Sequence, residues 1–339
     1  MVDRWSYSRA GVDLGKHRNL HQLALSIFNE LNKELGFTVK DVGGYTSTLS
    51  YSGAQLALHV DGVGTKTIVL KSLDSLWVAG WDCVAMNVND VACGGVKPLA
   101  IVDYIAMPSA DEAALRSVVE GAAKAARYAN VAVLGGETAI LPDLVSGIDV
   151  VCTVVGFRES SFTNLANVGD IAIGVESWGI HSNGYTLVRK ILESNRLSYS
   201  DRIDGVDLRE ELAKPTAIYS KIVLEAIERS LITGAAHITG GAYTKIRRIL
   251  RPTVNIILEV PKPPRIFEIL QRLGNVSTDE MYRVFNMGIG LVLTAQPSSV
   301  DELASIVERH GFKVYKLGKV VEGAGKIIVK TYGGDVVEL

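Results

Sequence analysis

Three cysteines in 339 residues, Cys83, Cys93 and Cys152, are an odd number set in apolar segments, so the chain has no disulfide framework to rely on. Their spacing also fits no zinc site, and they read as buried, reduced thiols. No run of about 18 to 20 consecutive apolar residues occurs, so no membrane span is expected. The stretch Met1 to Ala10 carries Asp3, Arg4 and Arg9 and lacks an apolar segment, which argues against a secretory signal and for the cytoplasm. A net charge of −2 gives no electrostatic basis for binding nucleic acid or an anionic membrane. The common nucleotide signatures, G-x-x-x-x-G-K-[ST] and G-x-G-x-x-G, are both missing, so a nucleotide site would have to be built another way. No short repeat or low-complexity tract is present.

What is present is an ordinary globular balance, 47% hydrophobic and 21% charged, in a chain long enough for two domains. An apolar stripe of Leu20, Leu23, Ala24, Ile27, Phe28 and Leu31 predicts a helix over 19–35, ended by Gly36. Gln55 to Val60 reads as a strand that delivers Asp61 at its end. Asp74 opens a segment to about Ala92 that is apolar on nearly all sides, hence a buried helix. Strands follow at 98–106, 131–134 and 149–157, with a helix to about Ala129 opened by a capping box of Ser109 and Glu112. The polar stretch 159–169, with Glu159, Ser160, Ser161 and Asn164, marks a boundary. Beyond it, strands at 171–175, 254–260 and 289–294, and others ending near Lys330, mix with helices at 185–193, 215–229, 265–273 and 300–310. The expected fold is α/β, with α+β-like mixed sheets, divided into an amino-terminal domain over 1–162 and a carboxy-terminal α/β domain over 163–339.

Five segments could carry chemistry. In Asp61-Gly62-Val63-Gly64-Thr65-Lys66 a carboxylate precedes two glycines that let backbone N–H groups approach an anion, with Thr65 and Lys66 as donors; a plain glycine turn with a surface lysine reads equally well. Asp82, Met86, Asn89 and Asp90 share one face of the buried helix, where carboxylates need a metal or a hydrogen-bonding partner. Gly135-Gly136-Glu137-Thr138 follows a strand, as a ligand contact or a tight turn. His181-Ser182-Asn183-Gly184 enters a helix where free N–H groups suit a phosphate, and His181 could move a proton or merely fix the loop. His237-Ile238-Thr239-Gly240-Gly241 has the same duality. Carboxylates at Asp61, Asp90 and Glu137 would repel ATP phosphates unless Mg²⁺ bridged them, so the set suits a metal–ATP site.

Read together, Ser6-Tyr7-Ser8-Arg9-Ala10-Gly11-Val12-Asp13, Asp61–Lys66, Asn87-Val88-Asn89-Asp90, Gly135–Ala139, His181–Tyr185, His237–Gly241 and Glu280–Asn286 resemble, in order and over nearly the whole chain, the motifs of the aminoimidazole ribonucleotide synthetases, the phosphoribosylformylglycinamidine cyclo-ligases. The resemblance implies a two-domain homodimer whose amino-terminal half binds ATP and Mg²⁺ and whose strands form the interface. It implies phosphorylation of an amide oxygen on a phosphorylated small-molecule substrate, then attack by a neighbouring amidine nitrogen, with release of ADP and phosphate. Asp90, His181 and Lys66 would be catalytic. Gly43, Gly44, Asp61, Gly62, Gly64, Thr65, Gly135, Gly136, Glu137 and Thr138 would contact ATP, with Mg²⁺ on Asp61 and Asp90. Ser182, Asn183, His237, Thr239 and Gly240 would bind the substrate. Departures from the family pattern are the loop Gly43-Gly44-Tyr45-Thr46-Ser47, poor in glycine, Ile140 in place of an acid, and Ala242 in place of a third glycine.

Related ATP-using families are the nearest alternatives. Selenophosphate synthetases usually carry a reactive residue near the amino terminus, whereas no cysteine precedes Cys83 here. Thiamine monophosphate kinases resemble the Asp-rich segments but not His181–Tyr185 followed by Glu280-Met281-Tyr282, and formylglycinamidine synthetases are much longer. A different class, a silent nucleotide-binding protein, would hold ATP without releasing phosphate.

Overall fold

The computed structural model describes residues 4–42, 44–159 and 161–339. Gly43 and the boundary residue Ser160 lie outside them.

The first sheet is built from β1 (Val39–Lys40), β2 (Thr48–Tyr51), β3 (Ala54–Gly62), β4 (Lys97–Met107), β5 (Ala132–Ile140) and β6 (Asp149–Phe157), in the order β1-β2-β3-β6-β4-β5. Only β4 and β5 run parallel. On one face lie α3 (Trp77–Cys93) and α4 (Glu112–Ala129), preceded by α1 (Leu14–Glu34) and α2 (Lys66–Ser72). Alternation along β3 turns Ala57, His59 and Asp61 toward the helices and leaves Leu58 and Val60 on the open face. The helix pair is unusually close. A Cβ on Gly80 would meet Val118 O at 1.8 Å, and one on Gly121 would meet Trp77 O at 1.7 Å, so only glycine lets these two backbones touch. Val78, Val84, Val88, Ile101, Ile105, Val118 and Val154 form the core between helices and sheet.

After 158–170, where none of the described residues lies in a regular element, comes a second sheet: β7 (Ile171–Glu176), β10 (Gly234–His237), β11 (Val254–Glu259), β12 (Ile289–Ala295), β13 (Val314–Glu322), β14 (Ile327–Lys330) and β15 (Val336–Glu338). Its order is β10-β12-β7-β13-β11-β14-β15, with a small separate ribbon of β8 (Arg202–Ile203) and β9 (Val206–Asp207). Around it pack α5 (Tyr185–Ser194), α6 (Leu208–Leu212), α7 (Ser220–Glu228), α8 (Arg265–Gly274), α9 (Thr278–Val284), α10 (Val300–Arg309) and a 3₁₀ helix at Ala242–Ile249. Both sheets are mixed, as expected for the α/β class. The core of this second half also takes in Tyr45, Val69, Leu73, Ala92 and Cys93 from the first.

Several local expectations are corrected. The first helix starts at Leu14, because the Asp13 side chain accepts from Gly15 N and Lys16 N at 2.9 and 3.0 Å. None of its residues is buried, and Leu20 and Phe28 stand 68% and 59% exposed. The cap of α4 is Asp111, which accepts from Ala114 N at 3.0 Å, not Ser109. Asp74 caps nothing; it sits at φ +52° between α2 and α3. Helix α7 begins at Ser220 rather than Pro215, since the amides of Thr216, Tyr219 and Ser220 are taken by side chains of α3.

Candidate active site

Helix α3 is apolar toward the first sheet and polar toward the second half, and that division places the chemistry. Asp82, Asn89 and Asp90, which share a face, all reach across the seam. Asn89 Oδ1 accepts from Tyr219 N and Ser220 N at 2.6 and 3.1 Å, and its Nδ2 donates to Ala217 O at 2.8 Å. With the amide fixed that way round, Nδ2 is also the donor toward His237 Nε2, 3.3 Å away. The proton of the neutral His237 ring therefore sits on Nδ1, which donates to Asp90 Oδ1 at 2.7 Å. Burial alone would push the Asp90 carboxyl up. The hydrogen bond from His237, with the charges of Lys245 and His59, outweighs it and holds Asp90 well below the usual carboxylate range.

The other Asp90 oxygen faces His59, whose Nε2 is 3.5 Å from Oδ2. Asn87 sets that ring: its Nδ2 donates to Cys83 O and Asp61 O at 2.9 and 3.3 Å, leaving its oxygen to take the His59 Nδ1 proton at 2.9 Å. Asp61, two residues along β3 on the same face, accepts from Gly62 N at 2.8 Å through Oδ1. Burial, then the neighbouring charge of Asp90, raises the Asp61 carboxyl, while His59 and Lys245 act in the opposite sense. Neither His59 nor Lys245 stood among the expected site residues. His59 had a legible signal, since a strand places residues two apart on one face. Lys245, on the 3₁₀ helix, had none.

The expected substrate contacts gather beside this cluster. A Cβ on Gly240 would lie 3.3 Å from Asn183 Oδ1, so the two loops meet. The Asn183 amide nitrogen is enclosed without a hydrogen-bond partner, a donor in need of an acceptor. Thr239 is buried and Gly240 exposed. Gly64, exposed at φ +64°, makes the turn into α2, and Thr65 Oγ1 lies 3.0 Å from Thr186 Oγ1. Gly44 is exposed, while Tyr45 plunges into the second half, its hydroxyl 3.4 Å from the carbonyls of His237 and Lys245 and its ring under Arg248.

Other expected residues stand elsewhere. Lys66 is fully enclosed, its ammonium 2.6 Å from Asp82 and donating to Lys214 O at 2.7 Å, and so faces no open cleft. His181 is 1% exposed, at φ +64°, and its Nε2 accepts from Trp178 N and Ala217 N at 3.1 and 3.4 Å. Burial, with the charge of Lys66, drives its pKa well below the ordinary value and keeps it neutral. A free catalytic donor, as expected of these two side chains, is not what the structure presents. Gly135, Gly136, Glu137 and Thr138 do not follow a strand end. They continue β5 along an exposed edge, with Gly136 in the same row as Asp103, Cys152 and Asp61. Three strand spacings separate that row's ends, roughly 14 Å.

Among the described residues no three His, Cys, Asp or Glu side chains converge on a metal site. Mg²⁺ asks less of a protein: one or two carboxylates suffice when phosphates and water complete the shell. Asp61, with one oxygen uncommitted, and the ionised Asp90 beside it fit that requirement.

This architecture is that of the AIR synthase-related proteins: residues 43–157 match the family described as AIR synthase related protein, N-terminal domain, and residues 167–330 match AIR synthase related protein, C-terminal domain. The phosphoribosylformylglycinamidine cyclo-ligase of Saccharolobus solfataricus is 41% identical over 98% of both chains, and that of Sulfurisphaera tokodaii 38% identical over 97% of this chain and 98% of its own. The chain belongs to the phosphoribosylformylglycinamidine cyclo-ligase family. Among solved structures, one described as AaThiL complexed with AMPPCP and TMP superposes with a TM-score of 0.63 at 18% identity, covering 92% of this chain and 95% of that one, a likeness of fold. Among the described residues no helix is long and apolar enough to cross a membrane.

Proposed function

We propose that this chain converts formylglycinamidine ribonucleotide to aminoimidazole ribonucleotide with ATP, releasing ADP and phosphate in de novo purine synthesis. The observation that carries the reading is kinship with cyclo-ligases along 98% of the chain. The geometry supports it with an ionised carboxylate, Asp90, held at the seam of the two halves beside a second carboxylate, Asp61, and a donor-bearing loop at Asn183 and Gly240. An amide oxygen leaves poorly until it is phosphorylated, and ring closure then needs only attack by the neighbouring amidine nitrogen and departure of phosphate.

In this reading Asp61 and Asp90 hold Mg²⁺, which neutralises phosphate charge during transfer. His237 and His59 keep Asp90 ionised and aimed, and the Asn183 amide and Gly240 meet the substrate. Lys66, His181 and Ser182 act from behind, through the loops they anchor. We assign the glycines of the 41–48 loop, Gly62, Gly64 and Thr65 to the nucleotide. The edge at Gly135–Thr138 lies too far from Asp61 to share a phosphate with it inside one chain. Residues 1–162 are taken as the ATP-binding and dimer-forming unit and 163–339 as the second, and the cytoplasm as the compartment. A homodimer is supported by the open face of the first sheet, where Leu58, Val60, Val102 and Tyr104 are exposed.

The test is aminoimidazole formation by purified protein with ATP, Mg²⁺ and formylglycinamidine ribonucleotide. Asp90→Asn should cut turnover well over tenfold, each tenfold being about 1.4 kcal/mol of barrier. ATP binding with no phosphate release would identify a silent nucleotide-binding protein instead.

A further inference from the structure

Asp82 and Lys66 are both completely buried, an arrangement that proteins seldom keep for stability alone, since an apolar pair of similar volume often does as well or better. What this pair touches explains its presence. Asp82 Oδ2 accepts from Lys66 Nζ of α2 and from the Ser182 hydroxyl, each at 2.6 Å, and Oδ1 accepts from Thr216 N at 2.6 Å. Lys66 adds its bond to Lys214 O. One carboxylate in the first half thus grips two separate loops of the second, at 182 and at 216. The same two loops are tied to each other by His181 Nε2, which accepts an amide from each. Asn286 Nδ2 further holds the first loop at Gly179 O and Ile180 O, at 2.9 and 3.2 Å. Within this web three side-chain groups are enclosed and unpaired, His181 Nδ1, the Thr216 hydroxyl and the Asn183 amide nitrogen, and of these only Asn183 stands against Gly240.

We propose that Asp82 is a positioning residue: with Lys66 it fixes Ser182, and through Ser182 the adjacent Asn183, at the distance from Asp61 and Asp90 that the phosphorylated substrate requires. This rests on the reading above that Asn183 and Gly240 meet the substrate. It also gives Ser182 a different part from direct substrate contact, because its hydroxyl proton is committed to Asp82. The ionised pair outperforms an apolar one here because a charge-assisted bond at 2.6 Å fixes direction as well as distance.

The test uses the full chain and separates folding from positioning. Asp82→Asn keeps an acceptor for Thr216 N but strands the Lys66 ammonium, so the melting temperature falls. Adding Lys66→Met removes the stranded charge and recovers most of the melting temperature. If the pair positions the loop, the double variant still shows a KM for formylglycinamidine ribonucleotide raised about tenfold, the worth of one charge-assisted bond, with the KM for ATP within about twofold of wild type. Recovery of the substrate KM along with the melting temperature would overturn the proposal. Should neither variant fold, Ser182→Ala leaves the buried pair intact. It is expected to melt only slightly lower, as for one lost hydrogen bond, while the amides of residues 180–186 exchange hydrogen at least about tenfold faster and α3 stays protected. Unchanged exchange there would equally overturn it. A wild-type protein that makes no aminoimidazole product would instead remove the functional reading, and exchange would still decide the tether.

Discussion

His59 and Asp90 meet tip to tip, Nε2 to Oδ2 at 3.5 Å, while the opposite nitrogen of the ring is committed to Asn87. Two imidazoles, His59 and His237, therefore bracket one carboxylate from opposite strands of opposite sheets. In His59→Asn, the new amide can still donate to Asn87 but nothing reaches Asp90. We expect an intact fold and turnover lowered about tenfold, as for removal of one neighbouring cationic partner of a buried carboxylate. Steady-state kinetics with full turnover would show that His237 alone suffices.

Asp61 behaves oppositely to Asp90. Its folded-state pKa is raised by burial and by Asp90, so its contribution to stability is present at low pH and is lost as pH rises through the folded value. At neutral pH Asp61 is therefore a burden on the unliganded protein. Asp61→Asn should melt at a higher temperature than the parent at pH 7, while activity falls more than tenfold and the Mg²⁺ needed for half activity rises. A variant that melts lower, with an unchanged Mg²⁺ titration, would make Asp61 a turn residue.

His181 is buried neutral, with its pKa depressed well below the ordinary 6.5. The unfolded chain takes up a proton there that the folded one refuses, so stability drops as pH falls below about 6.5, by roughly 1.4 kcal/mol per pH unit. His181→Gln removes that slope. At pH 8 it should be only slightly less stable than the parent, because the Gln carbonyl oxygen can stand in for Nε2 as acceptor of the Trp178 and Ala217 amides, and at pH 5 the gap should close or reverse. Denaturant titrations at the two pH values decide it, and parallel curves would refute the neutral assignment. Turnover per folded molecule should change little.

The open face of the first sheet predicts association. Light scattering should give twice the 36.5 kDa of the chain, and Leu58→Lys combined with Val60→Lys, both on outward positions of β3, should give monomers. A single mass of 36.5 kDa across a wide concentration range would dismiss the dimer.

Where sequence and structure agree, the signal was local. Strand β6 matches its expected span of 149–157 residue for residue because buried and half-buried positions alternate along it. Where they part, the reason lies in partners that no window of sequence contains. The stripe on α1 announced an apolar face but not what covers it, and within one chain nothing buries it. Gly135 and Gly136 looked like a strand's end, yet β5 runs through them, with Gly135 at φ +120° absorbing the irregularity in its pairing with β4. Asp82 and Asp90 are eight residues apart on one face of a helix, and the sequence favoured Asp90 over Asp82 as the functional carboxylate. Their partners, Lys66 and Ser182 for one, His237 and His59 for the other, show how differently the fold uses the two carboxylates. The small residues at Gly80 and Gly121 gave no hint that two helix backbones would meet there.

Helix α3 has 15 of its residues buried, and it is enclosed only because both halves of the chain close around it. Stripped of the second half, it would show water a strip carrying Asp82, Asn89 and Asp90 set among Cys93 and Ala92. Stripped of the first, the loops at 182, 216 and 219 would lose the acceptors that shape them. Neither half is a finished folding unit, so the chain should melt in one calorimetric step rather than two. The ionised Asp90 carboxylate, with its two imidazoles, is assembled only when the whole molecule is.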